Sequence, residues 1–304
     1  MGKASRTKTD IYRRERIAAQ HAVERKREQR NRLMIAGGAI LAVIVVVVVF
    51  VVVKPGSGSS SNVAGGASDG PTGAALASVV KDVTTVPDST LDNVGAGGSS
   101  LGRAIKGISG SAALTANGKP EIFYDGAEYC PFCAAARWSM IVSLSRFGTF
   151  SGLKTVHSST TDTPANIPTW TFYGSTYTSK YITFTPVEET TNIPLGTKGY
   201  TPLQTPTSDQ QALLQKYDTS ASIPFIDFGN KYVQTGDLPM LQPTNLSGNW
   251  AKIAGDLKNA SSANAKAVLA AANFTTAAIC KLTNNQPATA CTPAVQALES
   301  QLNG

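Results

Sequence analysis

The chain has 304 residues, enough for one or two domains, and a formal net charge of +7. Residues 1–32 hold eleven Lys/Arg against four Asp/Glu, which accounts for the whole excess, so the remainder is neutral and the basic balance describes a tail. No internal repeat, P-loop, dinucleotide fingerprint or G-x-S-x-G elbow is present, which leaves nucleotide-dependent and α/β-hydrolase chemistry without a sequence basis.

The tail (Arg13, Arg14, Arg16, Arg25, Lys26, Arg27, Arg30, Arg32) stops where an apolar run begins. Leu33 to Val53 contains neither charge nor proline. As a helix it spans about 31 Å, against a hydrocarbon core of roughly 30 Å. A lone span in lipid must be helical, because only a helix satisfies its own backbone. A cleaved signal peptide would have a shorter apolar region and a small-residue cleavage site, whereas this run ends in Val-Val-Val-Lys-Pro. The expectation is a retained, single-pass anchor in the cell membrane. The basic flank places residues 1–32 in the cytoplasm and everything after Lys54 outside it. The tail is expected to orient the span and touch anionic lipid, and no nucleic-acid partner is expected.

Residues 54–75 are rich in Gly, Ser and Ala and predict a flexible linker. Residues 76–304 are expected to form one extracytoplasmic α/β domain. Leu76, Val79, Val80 and Val83 fall at helical spacing. The Gly/Ser-rich stretch 95–118 predicts a surface excursion. Glu121–Asp125 predicts a strand, Gly126–Glu128 a turn, and Ala134–Leu144 a helix with one apolar side. Strands are predicted at 152–156, 168–172 and 177–187. A helix is predicted at 208–216, with Leu213 and Leu214 buried. Residues 224–228 and 231–233 predict a hairpin closed by Gly229-Asn230. Helices are predicted at 250–257, 263–272 and 277–282. This order of elements suggests one sheet with helices on its faces.

Cys130-Pro131-Phe132-Cys133 lies where the strand and turn meet the helix. A helix start has unpaired N–H groups and partial positive charge, which stabilise a thiolate. The thiolate is the attacking species in disulfide exchange. Pro131 suits the first turn, and Cys133 sits one turn on. Cys130 therefore reads as the nucleophile and Cys133 as the resolving thiol. A bare C-x-x-C also suits zinc, which needs two more ligands from His21, His157, Cys280 and Cys291. His21 lies across the expected membrane and Cys280 and Cys291 lack short C-x-x-C spacing, so a mixed Cys/His site is the lesser reading and no metal and no cofactor are expected. A fixed structural disulfide, or a soft Cu(I) site, are the other readings of the pair.

At these residues a resemblance is plain. Ala127-Glu128-Tyr129-Cys130-Pro131-Phe132-Cys133 resembles the active-site stretch of thioredoxins, and its Pro-aromatic pair resembles glutaredoxins. That superfamily places a cis-proline opposite the pair, and Ile223-Pro224-Phe225 resembles the pattern. The resemblance implies a thioredoxin-like sandwich with insertions, and a substrate groove lined by Ile223 and Pro224 with Tyr129, Pro131 and Phe132. Gly126–Phe150, His157–Glu188, Ile223–Val233 and Ala278–Cys291 also resemble the domain of unknown function 929 family, which implies the same fold and no established substrate. Thioredoxins bury an aspartate where this chain has Tyr124. Asp125, a neighbouring strand position, is expected to face the other way.

Cys280 and Cys291 flank a turn-forming stretch and are expected to form a structural disulfide, with a relay to Cys130/Cys133 as the alternative. His157 is expected on the surface near the active site. Tyr173, Tyr177, Tyr181 and Phe184 read as sheet packing, or as a peptide-binding face. Two functions follow. One is a thiol–disulfide oxidoreductase acting on protein thiol or disulfide clients, its redox partner unnamed. The other is a partner-binding domain with CPFC as a fixed disulfide.

Overall fold

The computed structural model describes residues 70–100, 104–196 and 199–302. The basic tail, the apolar run 33–53 and residues 54–69 lie outside them, and with them the expected anchor. Among the described residues, no helix is long and apolar enough to cross a membrane.

Two helices, Gly73–Thr84 (α1) and Asp88–Val94 (α2), lead into strands Ile105–Gly107 (β1) and Thr115–Ala116 (β2). Lys119–Gly126 (β3) enters helix Pro131–Ser145 (α3). Four short strands follow: Gly148–Ser151 (β4), Lys154–His157 (β5), Pro168–Thr171 (β6) and Thr176–Ser179 (β7). Thr183–Glu188 (β8), Thr190–Pro194 (β9) and Tyr200–Pro202 (β10) come next, then helix Ser208–Tyr217 (α4). Phe225–Phe228 (β11) and Tyr232–Thr235 (β12) precede helices Trp250–Asp256 (α5), Ala263–Leu282 (α6) and Pro293–Gln296 (α7).

Six strands form one mixed sheet. β1, β12, β11 and β3 neighbour one another in that order, all antiparallel, and β2 pairs with the start of β3. β8 pairs with β3 in parallel, from Glu121↔Thr183 to Gly126↔Glu188. The stretch between β3 and β8, with α3 in it, is therefore a crossover. β4 with β7, β5 with β6, and β9 with β10 make three small antiparallel pairs outside this sheet.

Strand alternation sorts β3 between two cores. Ile122 and Tyr124 face a large core with Trp138, Met140 and Phe274, formed with α3 and α6. Phe123 faces a smaller one with Val187, Phe225 and Val233, covered by Leu213, Leu214 and Tyr217 of α4. Trp138 and Trp170 meet edge to face at 5.3 Å, and Trp138 Nε1 donates to Pro168 O at 2.9 Å. Both indoles are fully buried. Trp138→Ala is expected to cost about 3–5 kcal/mol in a urea melt.

Several sequence expectations change. α3 is buried all round, thirteen of its fifteen residues, because α6, α1 and the strands β4 and β6 pack around it while Tyr124 of the sheet lies under Arg137; its apolar side is not single. The two helices expected at 263–272 and 277–282 are one helix of 20 residues. The polar interruption is internally bonded: Asn273 Nδ2 donates to Leu91 O at 2.8 Å and Gly95 O at 2.9 Å, and Thr276 Oγ1 donates to Ala272 O at 2.7 Å. No residue of α4 is fully buried, so Leu213 and Leu214 only cap the smaller core. The excursion at 95–118 supplies the edge strand β1. The run 177–187 splits into β7 and β8. The hairpin at Gly229-Asn230 is present, with φ of 64° and 55° at the two residues.

Cys280 and Cys291 form a disulfide, both buried. Closing a loop of this length stabilises by about 3 kcal/mol in the chain-entropy model. The Cys280→Ala/Cys291→Ala variant is expected to lose that amount, read from urea melts as a lowered midpoint with a slope no smaller than the wild type's, since the unfolded chain is freed.

Candidate functional site

Ala127–Tyr129 turn the chain from β3 into α3, and Cys130 is the N-cap of that helix. Its Sγ accepts the Cys133 N–H at 3.2 Å, one of the donors that a helix start leaves unpaired. Pro131 occupies the first helical position, where no N–H is required. Cys130 and Cys133 carry free thiols. The Cys130 thiol also faces Ile223 O at 3.8 Å, across the sheet end from β11. The Ile223–Pro224 peptide is cis, and Pro224 O accepts from Gly236 N at 2.8 Å.

The two thiols are electrostatically unequal. The Cys130 pKa is lowered, chiefly by a hydrogen bond from the Cys133 thiol, against the opposing effect of burial, with the Cys133 N–H and Arg137 adding to the lowering. Burial pushes the Cys133 thiol well up, and the Cys130 charge adds to it. Of the two, Cys130 is the more readily ionised thiol and Cys133 the one held protonated.

Cys130 is only 4% exposed, and half-buried Tyr129, Phe132 and Ile223 surround it, while Pro131 and Pro224 are buried. The Tyr129 ring stacks on Tyr200 of β10, at 4.1 Å and 5°. Tyr200 Oη donates to Ser159 Oγ at 2.7 Å, and Ser159 N donates to Tyr129 O at 2.8 Å. Burial, and next the Cys130 charge, push the Tyr129 phenol up to about 12, so it stays neutral. The β9–β10 hairpin is thus fastened beside the thiols.

Beneath them lies a buried ion pair absent from the sequence expectations. Arg137 Nε donates to Glu188 Oε1 at 2.8 Å, and its Nη2 donates to Glu188 Oε2 at 2.6 Å and Ala127 O at 2.7 Å. Both side chains are fully buried. The signal was a lone charge in an otherwise uncharged helix, four residues after Cys133. Tyr124 lies under the guanidinium, 6.0 Å from ring centre to Cζ. Burial pushes its phenol well up, so this strand position beneath the thiols carries a neutral group. Gly126 makes room for that phenol: a Cβ there would sit 2.7 Å from Tyr124 Cζ.

Asp125 follows Tyr124 along the strand and shares the face of Phe123, as expected. Burial, then the charges of Glu189, Glu188 and Asp218, push its carboxyl up to about 8. The folded state therefore holds this proton where the unfolded chain has lost it. Stability from this group is full below about pH 4 and is lost as pH rises toward about 8. Asp125→Asn is expected to raise stability at pH 8 by on the order of 3 kcal/mol and change it little at pH 4. Urea melts at the two pH values check this.

The remaining expected residues make other contacts. His157 is half-buried and packs tilted against Trp250 at 4.4 Å, two residues before Ser159, whose N–H donates to Tyr129 O beside the thiols. Tyr177 and Phe184 pack on Phe150, which favours sheet packing over a peptide-binding face. Arg146 Nη2 donates to Thr289 O, within the loop that Cys280–Cys291 closes. That loop thus meets the C-terminal end of α3, a 15-residue helix about 22 Å long with Cys130 at its other end. A direct relay would need a large rearrangement. Among the described residues, no group of three or more His, Cys, Asp or Glu is placed to hold a metal ion.

The fold and site define a mixed α/β protein with an asymmetric thiol pair at a helix start. Residues 108–281, more than half of the chain, match the family model described as Domain of unknown function (DUF929), and the chain belongs to that family. No curated protein and no solved structure matches it.

Proposed function

We propose that this chain is a membrane-anchored, extracytoplasmic thiol–disulfide oxidoreductase acting on protein thiols through Cys130 and Cys133, on a thioredoxin-like scaffold. The observation that carries the reading is the Cys130 sulfur at the N-cap of α3, 3.2 Å from the Cys133 N–H and 3.8 Å from Ile223 O. The order β3, α3, β8, α4, β11, β12, α6, with β8 parallel to β3 and β11 antiparallel to it, supports the scaffold. The basic tail and the 21-residue apolar run support the anchor and its direction.

In this reading the Cys130 thiolate attacks one sulfur of a client disulfide and expels the other as a thiolate. Cys133 then attacks the Cys130 sulfur of the mixed disulfide. The client leaves as a thiol with the Cys133 proton, the client having gained two electrons and the cysteine pair having lost two. The reverse sequence oxidises a client dithiol.

The test is labelling of intact cells that express the Cys133→Ala protein. A membrane-impermeant maleimide should react with Cys130, and non-reducing gels should show client adducts that a thiol reductant releases. Labelling only after cell lysis would contradict the location, and an absence of adducts would contradict the exchange.

One observation favours a second reading. Cys130 is nearly covered, as befits a fixed disulfide in a partner-binding domain. In that case the pair resists mild reductants and forms no adducts.

A further inference from the structure

Arg137 is the only charged residue in α3. It lies four positions after Cys133, on the same face, and helical side chains lean toward the N-terminus. Its Nη2 accordingly reaches back to Ala127 O, in the turn that precedes Cys130. Glu188 of β8 grips the Nε–Nη2 edge at 2.8 and 2.6 Å, while the buried Nη1 has no hydrogen-bond partner. A fully buried ion pair is costly to desolvate, so packing alone gives no reason for one in this apolar helix.

We infer that Arg137, clamped by Glu188, is a positioning residue that fixes a positive charge beneath Cys130 and Cys133 and so sets how readily each becomes a thiolate. This rests on the exchange reading proposed above. The titratable groups around the thiols are Arg137 of α3, Glu188 of β8, Tyr124 of β3, and Tyr129 and the fully buried Glu128 of the turn. Both phenols are neutral. Glu188 already accepts two hydrogen bonds from Arg137 and one from Phe172 N at 3.3 Å. Arg137 is the one cation of this set. After the Cys133 hydrogen bond, which lowers Cys130 most, Arg137 is among the groups that favour the Cys130 thiolate, and it opposes the burial that holds Cys133 protonated. A fixed charge would thus assist resolution, in which Cys133 gives up its proton to the departing thiol and bonds to Cys130.

The test uses reduced full-length protein in mild detergent. Two readouts are the pH midpoint of Cys130 alkylation by iodoacetamide, and the biphasic release of thionitrobenzoate from Ellman's reagent. Cys130 releases the first equivalent, and Cys133, attacking the Cys130 mixed disulfide, releases the second. Arg137→Met/Glu188→Leu removes both charges. It is expected to raise the midpoint by about one unit and slow the second phase at pH 7 by about threefold, because lost thiolate is partly offset by greater nucleophilicity. Glu188→Gln keeps the volume and leaves Arg137 uncompensated. It is expected to move both quantities the opposite way. A variant that melts cooperatively but leaves both quantities at their wild-type values overturns the inference. So do variants that shift in the same direction, as a mere packing role requires. Either variant alone decides the sign if the other does not fold. Wild-type protein that releases no first equivalent would instead overturn the exchange reading, and this inference with it.

Discussion

Cys130→Ala should abolish thiol–disulfide exchange, while Cys133→Ala should keep the first step and stop at the mixed disulfide. The two outcomes differ because the two thiols sit differently. Cys130 Sγ takes a backbone N–H from the first turn of α3, and the Cys133 thiol donates to it. Cys133 is fully buried and held protonated by burial. Only Cys130 combines a stabilised thiolate with a half-open rim of Tyr129, Phe132 and Ile223. Without Cys130 no thiolate faces a client. Without Cys133 nothing attacks the adduct from inside. Iodoacetamide should still alkylate Cys130 in Cys133→Ala, at a pH midpoint above that of the wild type because the Cys133 hydrogen bond is lost, and should leave Cys130→Ala unlabelled, which would check the assignment. Equal reactivity of the two single variants would refute it.

Splitting the buried ion pair should destabilise as much as truncating the core tryptophan Trp138. Glu188→Leu leaves the Arg137 guanidinium fully buried without its counter-charge, and Arg137→Met leaves the carboxylate in the same state. Each is expected to cost about 3–5 kcal/mol. For a domain of this size that lowers the melting temperature by on the order of 10 °C. Arg137→Met/Glu188→Leu should recover most of the loss, since two apolar side chains of similar volume need no partner. A double-mutant cycle by urea denaturation measures the coupling. Additive losses would mean that the pair is not coupled.

The sequence was most readable where chemistry and local structure coincide. Strand, turn, CPFC and helix could be placed because Cys130 as a cap, Pro131 in the first turn and the uncharged run after them all favour one conformation. The same holds for Gly229-Asn230, whose positive φ values suit a tight hairpin, and for the Cys280–Cys291 disulfide around its turn. Long-range partners were not readable. Asn273 and Thr276 looked like a break in a helix, because their hydrogen-bond partners lie on α2 and within α6 itself. Arg137 meets Glu188 from 51 residues away, so its pairing is a property of the β3–β8 register rather than of α3. Tyr129 and Tyr200 stack only once β10 has folded back beside the thiols. The edge strand β1 was hidden because its pairing with Tyr232–Gln234 of β12 depends on a segment more than a hundred residues on.

The most direct test of the exchange function is a redox titration of the full-length protein. Thiol trapping across glutathione ratios would follow the Cys130–Cys133 pair, with Cys280→Ala/Cys291→Ala as the background. A catalytic pair should interconvert reversibly, with a potential well above the value of about −300 mV below which structural disulfides sit. A pair that stays oxidised through the whole glutathione range, and yields only to harsh reductant, would contradict the oxidoreductase reading and leave a partner-binding domain.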